Sequence, residues 1–173
     1  TTPIEECAKP TDGMTLFYTD LDRRYVEVRE IRKHGRGAVD SNAVFIDGLP
    51  APEEHRIGAE GQGFSILLDA TNPERILVAA EAVGIGRRAL SKAANYAKER
   101  VVFGRPIGKN QGISHPLAES WMQLEAADLM IWRAAHLYDN HRPCGAEANA
   151  AKFLAADAAY LACDRAVRTL GGM

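Results

Sequence analysis

The sequence predicts an α+β fold, a short antiparallel β segment followed by a mainly α antiparallel helical bundle of three long helices. Two observations carry this. Over residues 13–49 apolar and polar side chains alternate in short runs broken by turn residues, the period of strands. From residue 60 onward apolar residues recur every three or four positions, the period of helices. The change of period divides the chain into a β segment, 1–57, and a helical bundle, 58–173.

The elements follow in order. Thr15–Thr19 is a β-rich run closed by the polar turn Asp20-Leu21-Asp22-Arg23. Tyr25–Ile31 follows, with Val26 and Val28 on one face and Glu27 and Arg29 on the other. Val44–Ile46 is a third run, stopped by Asp47-Gly48, Pro50 and Pro52. Three strands alone are marginal, so this segment is expected to lean on something else. Gly58, Gly61 and Gly63 lead into a short helix at 64–68. Asn72-Pro73-Glu74 then supplies a cap, a proline at the first helical position and an acid in the first turn. Ile76, Ala80, Val83, Leu90, Ala94 and Ala97 mark the buried face of the helix that runs on to Arg100. A second helix carries Leu117, Trp121, Leu124, Ile131 and Tyr138 on one stripe, with Met122, Leu129 and Trp132 beside it and Pro116 in its first turn. A third runs from about Glu147 to Leu170, with Leu154, Ala158 and Leu161 on one side and Phe153, Tyr160 and Val167 on another. The later two helices are apolar over more than one stripe, so the extra face should meet a further partner.

At 173 residues the chain can bury roughly 70% of its unfolded surface. It is 46% hydrophobic, and its net charge of −2 gives no electrostatic case for nucleic acid. No apolar run approaches the roughly 20 residues that span a bilayer. Cys7, Cys144 and Cys163 are odd in number and widely spaced, which argues for reduced thiols in a cytosol-like compartment. His136 and His141 are five apart and share no helix face, and no metal site is expected. Gly84-Ile85-Gly86-Arg87-Arg88-Ala89 matches the dinucleotide pattern GxGxxA. It falls in mid-helix with no strand before it, so close helix packing explains its glycines better.

Residues 100–111, Arg-Val-Val-Phe-Gly-Arg-Pro-Ile-Gly-Lys-Asn-Gln, join the first two long helices. Arginine, backbone N–H groups and an amide at a helix junction suit a phosphate-bearing ligand, and an ordinary interhelical turn has the same composition.

With these pieces in order the sequence resembles the acyl-CoA dehydrogenase family of flavoenzymes, from about Gly13 to Met173. The landmarks are Gly58-Ala59-Glu60-Gly61-Gln62-Gly63-Phe64, then Asn72-Pro73-Glu74-Arg75, then Tyr96 to Gly108, Gln111, and Leu170-Gly171-Gly172. Each alone is common; the resemblance lies in all five keeping order and spacing. It implies a helical N-terminal domain, a middle β domain and a C-terminal four-helix bundle in the whole enzyme. This chain would then be a fragment, the remnant of the β domain (1–57) and three of the four bundle helices (58–173).

The resemblance also implies roles. The parent would convert an acyl-CoA to the trans-2-enoyl-CoA with FAD as hydride acceptor and an electron-transferring flavoprotein as onward partner. Glu74 stands where one branch of the family carries the base for the α-proton, although an acid in a first helical turn is also ordinary dipole compensation. Asn72 and Arg75 align with acyl-CoA contacts; Asn72 could equally be just the helix cap, and Arg75 a surface cation. Arg100, Phe103, Gln111, Gly171 and Gly172 align with contacts to the FAD of a neighbouring subunit in a homo-oligomer, a dimer or tetramer. Val102 and Arg168 depart from the hydroxyl residue and the glutamine usual at those positions in relatives. The expected location is cytoplasmic, or the matrix in a eukaryote, and the fragment is expected to be inactive alone. Other readings are a helical assembly module without chemistry and an oxygen-using flavin oxidase such as a nitroalkane oxidase.

Overall fold

The computed structural model describes residues 7–35 and 37–172. Met173, the last residue of the resemblance, lies outside them. The chain forms two compact units, Thr1–Leu68 and Asp69–Met173, so the division falls within the first long helix.

The first unit holds two antiparallel strand pairs. β1 (Leu16–Phe17) pairs with β4 (Arg56–Ile57), and β2 (Val26–Glu30) pairs with β3 (Asn42–Ile46) in the register Val26↔Ile46. Val26 is buried and Glu27 and Arg29 are exposed, as the alternation predicts. β3 starts two residues before the expected run, and β4 has no counterpart in the sequence reading. Gly61 and Gly63 are required sterically. A Cβ on Gly61 would lie 2.7 Å from the Asp12 carbonyl oxygen, and one on Gly63 would lie 2.7 Å from the Leu16 nitrogen.

The second unit is a bundle of three helices. α1 is Gly63–Glu99, of which 69–99 belong to this unit; α2 is Gln111–Asp139 and α3 is Gly145–Leu170. Arg165 near the end of α3 binds the start of α2, whereas Arg133 near the end of α2 pairs with Glu147 at the start of α3, so these helices are antiparallel. α2 ends at Asp139 and is capped by Asn140, with His141 in the left-handed region (φ 53°). There the Arg142 N–H donates to the Leu137 carbonyl and the His141 N–H to the Tyr138 carbonyl, a Schellman-type stop before Pro143.

Three helical expectations are corrected. The helix at 64–68 and the one after Asn72 are a single helix, with Pro73 inside it. Proline lacks the N–H that would bond the Asp69 carbonyl, but its fixed φ is helical, so one missing hydrogen bond does not end so long a helix. Asn72 is therefore no cap, and Glu74 is not in a first turn. Secondly, α2 begins at Gln111, which places Pro116 beyond the first turn. Thirdly, the buried faces are narrower and finer-grained than expected. On α1 they run Ile76, Ala79, Val83, Gly86, Leu90, Ala93 and Ala97, so Ala80 and Ala94 give way to their neighbours. On α2, Ser120 and Leu137 replace Trp121 and Tyr138. On α3 the core is all alanine: Ala148, Ala151, Ala155, Ala158, Ala159, Ala162 and Ala166.

The alanines let the helices approach too closely for larger groups. A Cβ on Gly86 would lie 2.7 Å from Leu124 Cδ2 and 3.1 Å from the Ala159 Cα, so α1, α2 and α3 meet at this glycine. Gly84 has nothing within 4 Å. The GxGxxA segment is thus a packing site, and only its second glycine does the packing. The large apolar side chains displaced from the core line the outside instead, among them Leu129 (72% exposed), Trp132 (68%) and Tyr160 (73%). The expectation of extra apolar faces holds. Among the described residues no helix is long and apolar enough to cross a membrane.

Candidate functional site

Two clusters of the expected residues form at opposite ends of the bundle. The first is the α1 segment 71–78. Arg75 Nη1 donates to Thr71 Oγ1 at 2.9 Å and to Asn72 Oδ1 at 3.3 Å, closing a ring of side chains on one helical face. A Cβ on Gly145 would stand 3.9 Å from Asn72 Oδ1, which sets the start of α3 beside this ring.

Arg75 is therefore engaged, and not with Glu74. The Glu74 carboxylate is exposed and has no hydrogen bond or ion pair among the described residues. Leu77 (70% exposed) and Val78 stand one helical turn further along, on the side of α1 that carries Glu74. An unpaired carboxylate beside exposed apolar side chains, in mid-helix, has no structural task that accounts for it. Dipole compensation, the ordinary explanation for an acid in a first turn, does not apply to the twelfth residue of a helix.

The second cluster is the junction of α1 and α2. The stretch expected as a plain loop contains a two-stranded hairpin, β5 (Val101–Val102) and β6 (Arg105–Pro106), followed by a 3-10 turn at Ile107–Lys109. The hairpin turns on Phe103 and Gly104, both at positive φ (53° and 74°). That is the sign pattern of a type I′ turn, which favours Asn-Gly; phenylalanine there is unusual and costs about 1–2 kcal/mol. Its ring is fully exposed (101%) and packs on nothing that would offset the cost. The Arg100 guanidinium is exposed, without a side-chain partner among the described residues. The base of the hairpin is fixed: the Ile107 N–H donates to the Arg100 carbonyl at 2.9 Å, and Arg105 Nη2 to Asn110 Oδ1 at 2.6 Å. Gly108 lies so near α1 that a Cβ would stand 3.0 Å from the Ala97 carbonyl oxygen.

Gln111 opens α2, whose first turn receives no side-chain cap. Across a recess of about 390 Å³ lined by Gly112, Ile113, Arg165, Arg168 and Thr169 lie the last turns of α3. Gly171 caps α3 at φ 71°, where a side chain would be strained, and its N–H donates to the Val167 carbonyl. Arg168 pairs with Asp164 at 2.9 Å. Arg100, Phe103, Gln111, Gly171 and Gly172 thus belong to one end of the bundle. Glu74 is about 38 Å away along α1, taking 1.5 Å per residue to Glu99.

The residue missed by sequence reading is Arg165, which ties α2 to α3 beside this recess. It is one charge among many on α3, and no periodicity marks it.

The three-helix unit thus carries an exposed carboxylate on Glu74 toward one end and a cationic, aromatic hairpin at the other. Residues 61–173 match the acyl-CoA dehydrogenase C-terminal domain. The chain belongs to the acyl-CoA dehydrogenase family. It is 40% identical over 165 residues to the acyl-CoA dehydrogenase FadE12 of Mycobacterium tuberculosis, covering 94% of this chain and 40% of that protein. Butyryl-CoA dehydrogenase from Megasphaera elsdenii superposes with a TM-score of 0.89 at 33% identity, over 96% of this chain and 44% of the other. PigA, solved with FAD and proline, gives 0.89 at 27% identity over 94% and 43%. The chain spans about two fifths of the length of the curated relative it matches here.

Proposed function

We propose that this chain carries the C-terminal helical part of an FAD-dependent acyl-CoA dehydrogenase, with residues 1–57 the remnant of its β domain. The reaction removes a proton from the α-carbon of the acyl thioester and a hydride from the β-carbon, leaving the trans-2-enoyl-CoA. FAD, when bound, supplies the hydride acceptor, and an electron-transferring flavoprotein takes the electrons onward.

The observation that carries the reading is the state of residues 72–75. Arg75 is turned toward Thr71 and Asn72, so the Glu74 carboxylate stays unpaired and free to accept a proton. An acyl chain laid against Leu77 and Val78 would exclude water from that carboxylate. Asn72 Oδ1, which accepts from Arg75, would also accept from a pantetheine amide. The far end fits FAD by the chemistry of its donors. Arg100 offers an unpaired fork to pyrophosphate oxygens, Phe103 an unpacked ring, and Gln111 an amide at an uncapped helix start. Because that end lies about 38 Å from Glu74, we assign it to the FAD of a neighbouring subunit. By itself the chain is expected to reduce no dye.

The test is steady-state dye reduction by the FAD-loaded full-length enzyme with an acyl-CoA. Glu74→Gln is expected to lower turnover by at least about 10²-fold, the scale of positioned general-base catalysis, with FAD content unchanged. Turnover within a few-fold of the unsubstituted enzyme would remove Glu74 from the reaction.

A further inference from the structure

We propose that Arg165 is the positioning residue of the flavin-facing end, fixing the first turns of α2 against the last turns of α3. This rests on the assignment of Gln111, Gly171 and Gly172 to FAD. The guanidinium divides its donors among three acceptors on α2. Nη1 donates to the Pro116 carbonyl at 3.1 Å and to Ser120 Oγ at 3.0 Å, and Nη2 donates to Glu119 Oε2 at 2.8 Å. Ser120 is fully buried, whereas the Arg165 side chain is 19% exposed and Glu119 lies at the rim. On its own helix, the Arg165 carbonyl accepts the Thr169 hydroxyl at 2.8 Å, which secures the turn leading to Gly171.

One residue therefore joins the start of α2, which presents Gln111, to the end of α3, which presents Gly171 and Gly172. The α3 face nearby is alanine, whose small side chains reach little of α2, so the long Arg165 side chain makes the polar tie at this end. A planar fork reaches separated acceptors that a single ammonium does not span. The recess beside it is lined from both helix ends, by Gly112 and Ile113 of α2 and by Arg168 of α3.

The experiment compares Arg165→Met, Arg165→Lys and the milder Glu119→Gln, which removes the negative charge on one arm and leaves the core intact. Amide hydrogen exchange is followed in the 173-residue chain, and FAD affinity and acyl-CoA KM in the full-length holoenzyme. In Arg165→Met, exchange over residues 111–118 should quicken and the FAD Kd should rise about tenfold or more. KM for acyl-CoA at saturating FAD should hold. Arg165→Lys should recover part of the loss, and Glu119→Gln should shift the same quantities less. Unchanged exchange over 111–118 would overturn the clamp. Faster exchange with an unchanged FAD Kd would reduce Arg165 to a structural tie while leaving the flavin assignment standing. An unsubstituted holoenzyme that holds no FAD would remove the flavin assignment and this inference together.

Discussion

At the scale of residues, the informative groups are those whose conformation or partners have no local justification. Phe103 is the clearest: a bulky residue at φ 53° with a fully exposed ring. Phe103→Asn, which suits the left-handed region, is expected to raise stability by about 1 kcal/mol in chemical denaturation. It should at the same time weaken FAD binding by the holoenzyme, because the ring is lost. Unchanged FAD binding would mean that the ring has no part in the cofactor site. Asp22 shows the ordinary case of a residue with local partners. Its carboxyl lies below the usual aspartate range, chiefly because the Arg24 side chain donates to it and then because the Arg24 backbone N–H does. A lowered folded-state value contributes stability above the unfolded value, lost as the pH falls through the folded one. The Asp22 titration midpoint followed by NMR should move up in Arg24→Met and with added salt, since both partners are exposed. The candidate site residues were proposed from the resemblance, but their surroundings were not legible in the sequence. Arg75 chooses Thr71 and Asn72 over its neighbour Glu74 because i, i+4 and i, i+3 partners share a helix face and adjacent residues do not.

At the scale of elements, Gly84 and Gly86 make a controlled pair. Gly86→Ala is expected to cost about 1–2 kcal/mol net, since the new Cβ meets a fully buried Leu124 and the Ala159 backbone. Gly84→Ala, with open space around it, is expected to gain up to about 1 kcal/mol from helix propensity. Thermal or urea unfolding of the two variants gives both signs; equal effects would contradict the three-helix contact. The helices themselves were plain from periodicity, and their faces only partly so. Hydrophobicity alone points to Trp121, Tyr138 and Leu154 as core residues, but a bundle with an alanine interior has no room for them. Pro73 misled for a related reason: a proline after an asparagine reads as a helix start, yet one lost hydrogen bond is a small perturbation in a 37-residue helix. The hairpin at 101–106 was hidden because a type I′ turn is normally announced by Asn-Gly, and here the first position is Phe103.

At the scale of the whole molecule, the displaced aromatic and aliphatic side chains make the outer faces of α2 and α3 expected association surfaces. Leu129→Glu or Tyr160→Glu is expected to shift sedimentation of the chain toward a smaller species, because a charge would have to be buried. An unshifted profile would leave those faces without a partner. The separation of the two clusters gives the proposal its form: Glu74 would serve a substrate at one end, and the hairpin a flavin at the other. The most direct test is exchange at the α-carbon. The full-length holoenzyme in deuterated water, given an acyl-CoA with no electron acceptor, should place solvent deuterium at that carbon, and the Glu74→Gln enzyme with equal FAD content should not. Incorporation at an undiminished rate in Glu74→Gln would show that another group takes the proton.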